Sequence, residues 1–173
     1  MRNWSDRSLG NLKGIHPDLR KVMDRALQTS PLDFIVIEGL RTRERQAQLV
    51  KAGASQTMNS RHITGHAVDL LPIGPDGKAA FDWPLYHRIA PAVKQAAKDL
   101  GVAIVWGGDW KSFKDGPHFE LDRKVYPAGN FAEAVAKANV PLPKQPQATI
   151  GKPLAPKPVG DNPAPETDAK PRL

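Results

Sequence analysis

A chain of 173 residues with 40% hydrophobic content is long enough for one domain with a real core, and no apolar run approaches the roughly 20 residues that a membrane helix needs. The absence of cysteine excludes disulfides, thiolate metal sites and a cysteine nucleophile together. The net charge of +7 suits an anionic partner such as nucleic acid, a membrane surface or a cell-wall polymer. Outside Arg41-Thr42-Arg43-Glu44-Arg45 the basic residues are scattered, and no nucleic-acid-binding signature accompanies them.

In chain order, Met1 to Asp6 lacks the apolar stretch of a secretory signal, so synthesis in the cytoplasm is expected. His16-Pro17-Asp18 opens a helix, with Pro17 suited to its first turn and Leu19, Val22, Met23 and Ala26 on one face. Asp33 to Glu38 reads as a buried strand closed by Gly39. Thr42 caps a helix that runs to about Ala52, where Gly53 stops it. Ala54 to Thr64 reads as a loop, and His66 to Leu71 as a strand ended by Pro72.

Gly74-Pro75-Asp76-Gly77 is a turn. Asp82-Trp83-Pro84 starts a helix whose apolar stripe is Leu85, Ile89, Val93, Ala97 and Leu100. Pro91 lies inside that pattern and is expected to kink or split the helix. Val102 to Trp106 and His118 to Leu121 read as strands, with a Gly107-Gly108 turn after the first. Asn130 to Ala138 reads as a small last helix. From Pro141 to Leu173 the chain holds nine of its seventeen prolines and no aromatic residue, so an extended, disordered tail is expected. The division is thus a globular domain over residues 1–140 and a proline-rich tail over 141–173, with no internal repeat.

Five histidines are present, and two lie in unusual surroundings: His62 in Ser60-Arg61-His62-Ile63-Thr64-Gly65-His66-Ala67-Val68-Asp69, and His118 in Asp115-Gly116-Pro117-His118-Phe119-Glu120. A catalytic zinc site takes three His or carboxylate ligands and leaves one position open. On a strand, Asp69 shares a face with Ala67 and Leu71, while His66 faces the other way. Gly65 lets the chain turn just before that strand, so His62 can fold back toward Asp69. Spacing alone leaves two other readings open: histidines with purely structural roles, or a helical His62–His66 pair, which Gly65 and the β-branched neighbours disfavour. His16 and His87 read as structural or surface residues.

A water-activating site also needs a general base. Asp115 lies three residues before His118, across a Gly-Pro turn. Glu120 shares the strand face of His118 and suits a supporting role, and Asp109 is a weaker candidate in an ordinary turn. Arg41, just after the first strand and its Gly39 turn, is placed to meet developing negative charge, or is simply a solvated arginine at a helix start.

The run Ser60-x-His62-x-x-Gly65-x-Ala67-x-Asp69, followed by Asp115-x-x-His118-Phe119, resembles the zinc D-Ala-D-Ala peptidase superfamily over roughly Phe34 to Leu121. The aspartate at 115 and the stretch from Trp106 to Phe119 resemble its phage L-alanyl-D-glutamate endopeptidase branch. The resemblance implies a small α+β domain with a central antiparallel sheet and helices packed to one side. It implies Zn2+ held by His62, Asp69 and His118, Asp115 as catalytic base, Arg41 contacting substrate or the oxyanion, and Ser60 near substrate. The implied function is a phage endolysin, a zinc metallopeptidase cutting the L-Ala–D-Glu bond of peptidoglycan. A monomer released from the host cytoplasm through a holin pore, without membrane insertion or a nucleic-acid partner, completes the expectation. Two alternatives remain: a D-Ala-D-Ala carboxypeptidase of the same superfamily, and a non-catalytic zinc-bearing wall-binding module.

Overall fold

Four short strands make one antiparallel sheet in the order β1-β2-β4-β3, where β1 is Phe34–Glu38, β2 Ala67–Pro72, β3 Ile104–Trp106 and β4 His118–Leu121. The computed structural model describes residues 1–127. The helix expected over 130–138 and the proline-rich stretch from 141 lie outside the described residues. Helices α1 (Asp6–Asn11), α2 (Pro17–Thr29), α3 (Arg43–Lys51) and α4 (Trp83–Asp99) complete the α+β domain.

Period-two alternation divides the sheet into two faces. Phe34 and Val36 of β1, Val68 and Leu70 of β2, and Phe119 and Leu121 of β4 all enter one buried cluster. Leu19, Val22, Met23, Ala26 and Leu27 of α2 close it, with Ile89, Val93, Ala96 and Ala97 of α4. The opposite face carries Asp69, His118 and Glu120, and there the site lies.

The caps follow the side chains present. His16 Nδ1 accepts from the Asp18 amide at 3.2 Å, with Pro17 behind it, and the Thr42 hydroxyl accepts from the Arg45 amide at 3.2 Å. Gly53 and Gly101 take positive φ (71° and 66°) where α3 and α4 end.

Three details differ from expectation. Pro91 neither splits nor ends α4, which is continuous from Trp83 to Asp99. Pro91 lies on the exposed side, where solvent can take the His87 carbonyl that it leaves without an amide. Leu100 is not in the stripe: it is the C-cap and 43% exposed, while Tyr86 is buried instead. Helix α1 was not foreseen. It has no apolar stripe, and its work is polar: Ser8 Oγ accepts from the Val36 amide at 3.1 Å and Asn11 Nδ2 donates to the Val36 carbonyl at 2.8 Å. These bonds satisfy the outer edge of β1, which would otherwise offer a free pairing edge.

Candidate metal centre and active site

The first strand contains an irregularity that shapes the site. Phe34, Ile35 and Val36 pair with Pro72, Leu71 and Leu70, but Glu38 pairs with Asp69. One extra residue thus sits between Val36 and Glu38, a β-bulge. Unbroken alternation would turn Glu38 into the core beside Phe34 and Val36. The bulge brings it to the opposite face, next to Asp69.

Asp69 is in turn the cross-strand partner of His118 in the β2–β4 pair. His62 arrives from the loop, which turns back at Gly65 (φ 71°) through the Gly65 amide to the His62 carbonyl at 3.1 Å. The structure therefore brings His62, Asp69 and His118 together. His62 Nε2 and His118 Nδ1 lie 3.2 and 3.3 Å from Asp69 Oδ1, and 3.3 Å from each other. Ligands bound at about 2.0–2.1 Å in a tetrahedron are separated by about 3.3 Å, so the three donors are spaced for one small tetrahedral cation. No other group of three or more such side chains is close enough to hold a metal among the described residues.

The far side of each ring is fixed as well. His62 Nδ1 donates to the Gly39 carbonyl at 2.8 Å, and His118 Nε2 donates to Glu120 Oε2 at 2.9 Å. Those bonds leave His62 Nε2 and His118 Nδ1 as the atoms turned to Asp69. Arg123 Nε holds Glu120 Oε1 at 2.9 Å.

Charge follows geometry. Burial would raise the Asp69 carboxyl, but the two histidines hold it well below the usual range. Burial likewise opposes ionisation of Glu120, yet hydrogen bonds from His118 and Arg123 bring it down to about 2. Burial pulls His118 down, and its bonds to Asp69 and Glu120 outweigh that, raising it to about 9. Asp115 is pushed up by burial and by the Asp69 carboxylate, against the pull of His118, His62 and Arg41.

These groups line a cleft of about 600 Å³ that also includes Asp115, Arg41 and Ser60. Asp115 is held by its backbone: its amide donates to the Gly107 carbonyl at 3.0 Å. A Cβ at Gly107 would crowd the Asp115 carbonyl at 2.5 Å and the His118 Cβ at 3.2 Å, so only glycine fits beneath both. Ser60 Oγ accepts from the His62 amide at 3.4 Å. Asp109 is not a cleft residue; it pairs with Lys94 at 2.6 Å. Several features were not foreseen: Glu38 and an aromatic rim of Phe81, Phe113 and Trp110 in the cleft, and Gln46 buried behind Arg41. The Trp110 ring lies 5.2 Å from that of His118. Glu38 left a signal as an acid three residues before Arg41, and Trp110 and Phe113 lie in the Trp106–Phe119 stretch that carries the branch resemblance.

His66 points away from the cluster, as strand alternation requires. It is 3% exposed, with Nδ1 donating to the Thr64 carbonyl at 2.7 Å. Burial and the neighbouring Arg61 lower its pKa to about 4. Unfolded His66 binds a proton near 6.5 and folded His66 near about 4, so between these values the unfolded chain holds more protons and stability falls as pH falls. Urea unfolding at about pH 7 and about pH 4.5 is expected to differ by on the order of 2–3 kcal/mol from this residue. A His66→Gln chain should lose that part of the slope; an unchanged slope would remove the assignment.

An antiparallel sheet that gathers two histidines and a carboxylate in a cleft, beside a further acid, is a layout suited to metal-dependent hydrolysis. The comparisons with known proteins make the family specific. The chain belongs to the phage L-alanyl-D-glutamate peptidase family, whose model matches residues 2–134. It is 36% identical over 132 residues to the L-alanyl-D-glutamate peptidase of Escherichia phage T5, covering 73% of this chain and 91% of that one. It is 34% identical over 144 residues to the enzyme of the same name from Listeria phage A118, covering 81% of this chain but 50% of that one. The chain thus spans about half the length of the Listeria phage relative. Among solved structures, it is similar to the L-Ala D-Glu endopeptidase ChiX of Serratia marcescens, with 50% identity, a TM-score of 0.68, and coverage of 72% of this chain and 93% of that one.

Proposed function

We propose that this chain is a phage endolysin that hydrolyses the L-Ala–D-Glu bond of peptidoglycan stem peptides, with zinc held by His62 Nε2, Asp69 Oδ1 and His118 Nδ1. The observation that carries this reading is the triad of donor atoms 3.2–3.3 Å apart in a cleft shared with Asp115. Two histidines and one carboxylate form a zinc-type set with a position left for water or substrate. The phage relatives and the Serratia enzyme named for this bond support the choice of substrate.

Zinc bound there supplies Lewis acidity, polarising the scissile carbonyl and making water a better nucleophile near neutral pH. Asp115 takes the proton of the attacking water and passes it to the leaving amine. Its raised pKa suits that double task, because a base must also be able to give the proton back. Glu120 and the Gly39 carbonyl keep the two imidazoles turned to their task. The aromatic rim gives a peptide apolar surface to lie on.

The wall is reached from the host cytoplasm after release, with a holin pore as the route. No described helix is long and apolar enough to cross a membrane. The protein acts as a monomer, and its net charge of +7 favours an anionic wall. Digestion of purified peptidoglycan followed by mass analysis tests the reading. New L-Ala carboxyl and D-Glu amino termini are expected. Released D-Ala would instead mark a D,D-carboxypeptidase, and wall binding without cleavage a non-catalytic module.

A further inference from the structure

Arg41 does not present itself to the cleft as a loose cation. It is 7% exposed. Its Nε and Nη2 donate to the two oxygens of Glu38 at 2.8 and 2.5 Å, its Nη1 donates to Gln46 Oε1 at 2.7 Å, and Nη2 reaches Asp69 Oδ2 at 3.5 Å. Four of the five N–H donors of the guanidinium are thereby committed. Gln46, fully buried, is itself locked, since Nε2 donates to Ser55 Oγ at 2.9 Å and to the Thr57 carbonyl at 2.6 Å.

The two oxygens of Asp69 are thus divided. Oδ1 faces the histidines and Oδ2 faces Arg41. The bulge in β1 places Glu38 directly across from Asp69, which sets two carboxylates side by side. Facing like charges are destabilising, and the guanidinium between them removes that cost.

We infer that Arg41, clamped by Glu38 and Gln46, is a positioning residue for Asp69: it fixes which carboxylate oxygen turns to the metal and balances its charge. This inference rests on the reading of His62, Asp69 and His118 as zinc ligands. It assigns to Glu38 a function that depends on the bulge, and it gives Arg41 a role at the Asp69 ligand. The Gln46 bonds to Ser55 and Thr57 also join the loop wall of the cleft to the same network.

The test is zinc affinity, measured by competition with a chromophoric chelator, together with the free zinc needed for half-maximal peptide cleavage. Arg41→Lys keeps the charge but loses the fork. Glu38→Gln keeps the shape but loosens the clamp, and it serves as the second variant if Arg41→Lys fails to fold. Both are expected to bind zinc roughly 10- to 100-fold more weakly, the usual effect of removing a ligand's hydrogen-bonding support, with added zinc restoring turnover. Zinc affinity equal to that of the parent chain in both variants overturns the proposal, above all if kcat of Arg41→Lys falls and added zinc does not restore it. A His62→Ala control separates the two layers. If it binds zinc as the parent does, the ligand assignment itself is at fault.

Discussion

Exchange of Asp115 for alanine or asparagine is expected to slow cleavage of the stem peptide by roughly 10²- to 10⁴-fold, the usual contribution of a positioned general base. Zinc binding should survive, because Asp115 is not among the three converging donors. The loss should fall mainly on kcat, since the base acts as the bond breaks rather than when substrate binds. The local structure makes the test clean. The Asp115 backbone is pinned to Gly107 by one hydrogen bond, and Gly116 packs beneath the Tyr86 ring, where a Cβ would meet that ring at 2.9 Å. A change at the carboxyl therefore leaves the frame in place. Full activity in either variant would transfer the role of base to another group.

Removal of zinc is expected to abolish cleavage, and its return to restore it. The same ion should also stabilise the fold, because the proposed ligands come from separated parts of the chain: a loop, β2 and β4. At a free zinc concentration about 1,000 times its Kd, the gain is about 4 kcal/mol. For a domain of this size that raises the thermal midpoint by on the order of 10 °C. A His118→Ala chain should show neither the activity nor the zinc-dependent increment in melting. Cleavage that persists in a chelated sample, with metal analysis showing none bound, would refute the metal-dependent mechanism. Calorimetry with and without zinc gives the second reading independently of any substrate.

Asp69 and His66 show what one dimension can carry. Strand alternation separates Asp69 from His66 correctly, because that rule acts between neighbours in the chain. His66 indeed lies buried on the far side, against Thr64. The pairing of Asp69 with His118 is a matter of register between β2 and β4, 49 residues apart, and spacing can only permit it. Only the motif resemblance joined them. Glu38 was hidden for a different reason: a bulge shifts the face of every residue after it, and nothing in Phe34-Ile35-Val36-Ile37-Glu38 announces one. Helix α1 lacks the apolar period by which surface helices are found, since Ser8 and Asn11 work through hydrogen bonds. Pro91 leaves α4 unsplit because it lies on the exposed side, where water can take the orphaned carbonyl, a property of the packed helix.

The α1 contacts have a practical side for anyone who wishes to remodel the protein. Gly39 lies against the Asn11 carbonyl, where any larger residue would collide with it, and offers its own carbonyl to His62 at 2.8 Å. The opening helix is therefore a foundation stone of the His62 imidazole, although it is far from it in sequence. Trimming the chain before Leu12, or forcing a fusion partner against that turn, undermines the centre from below.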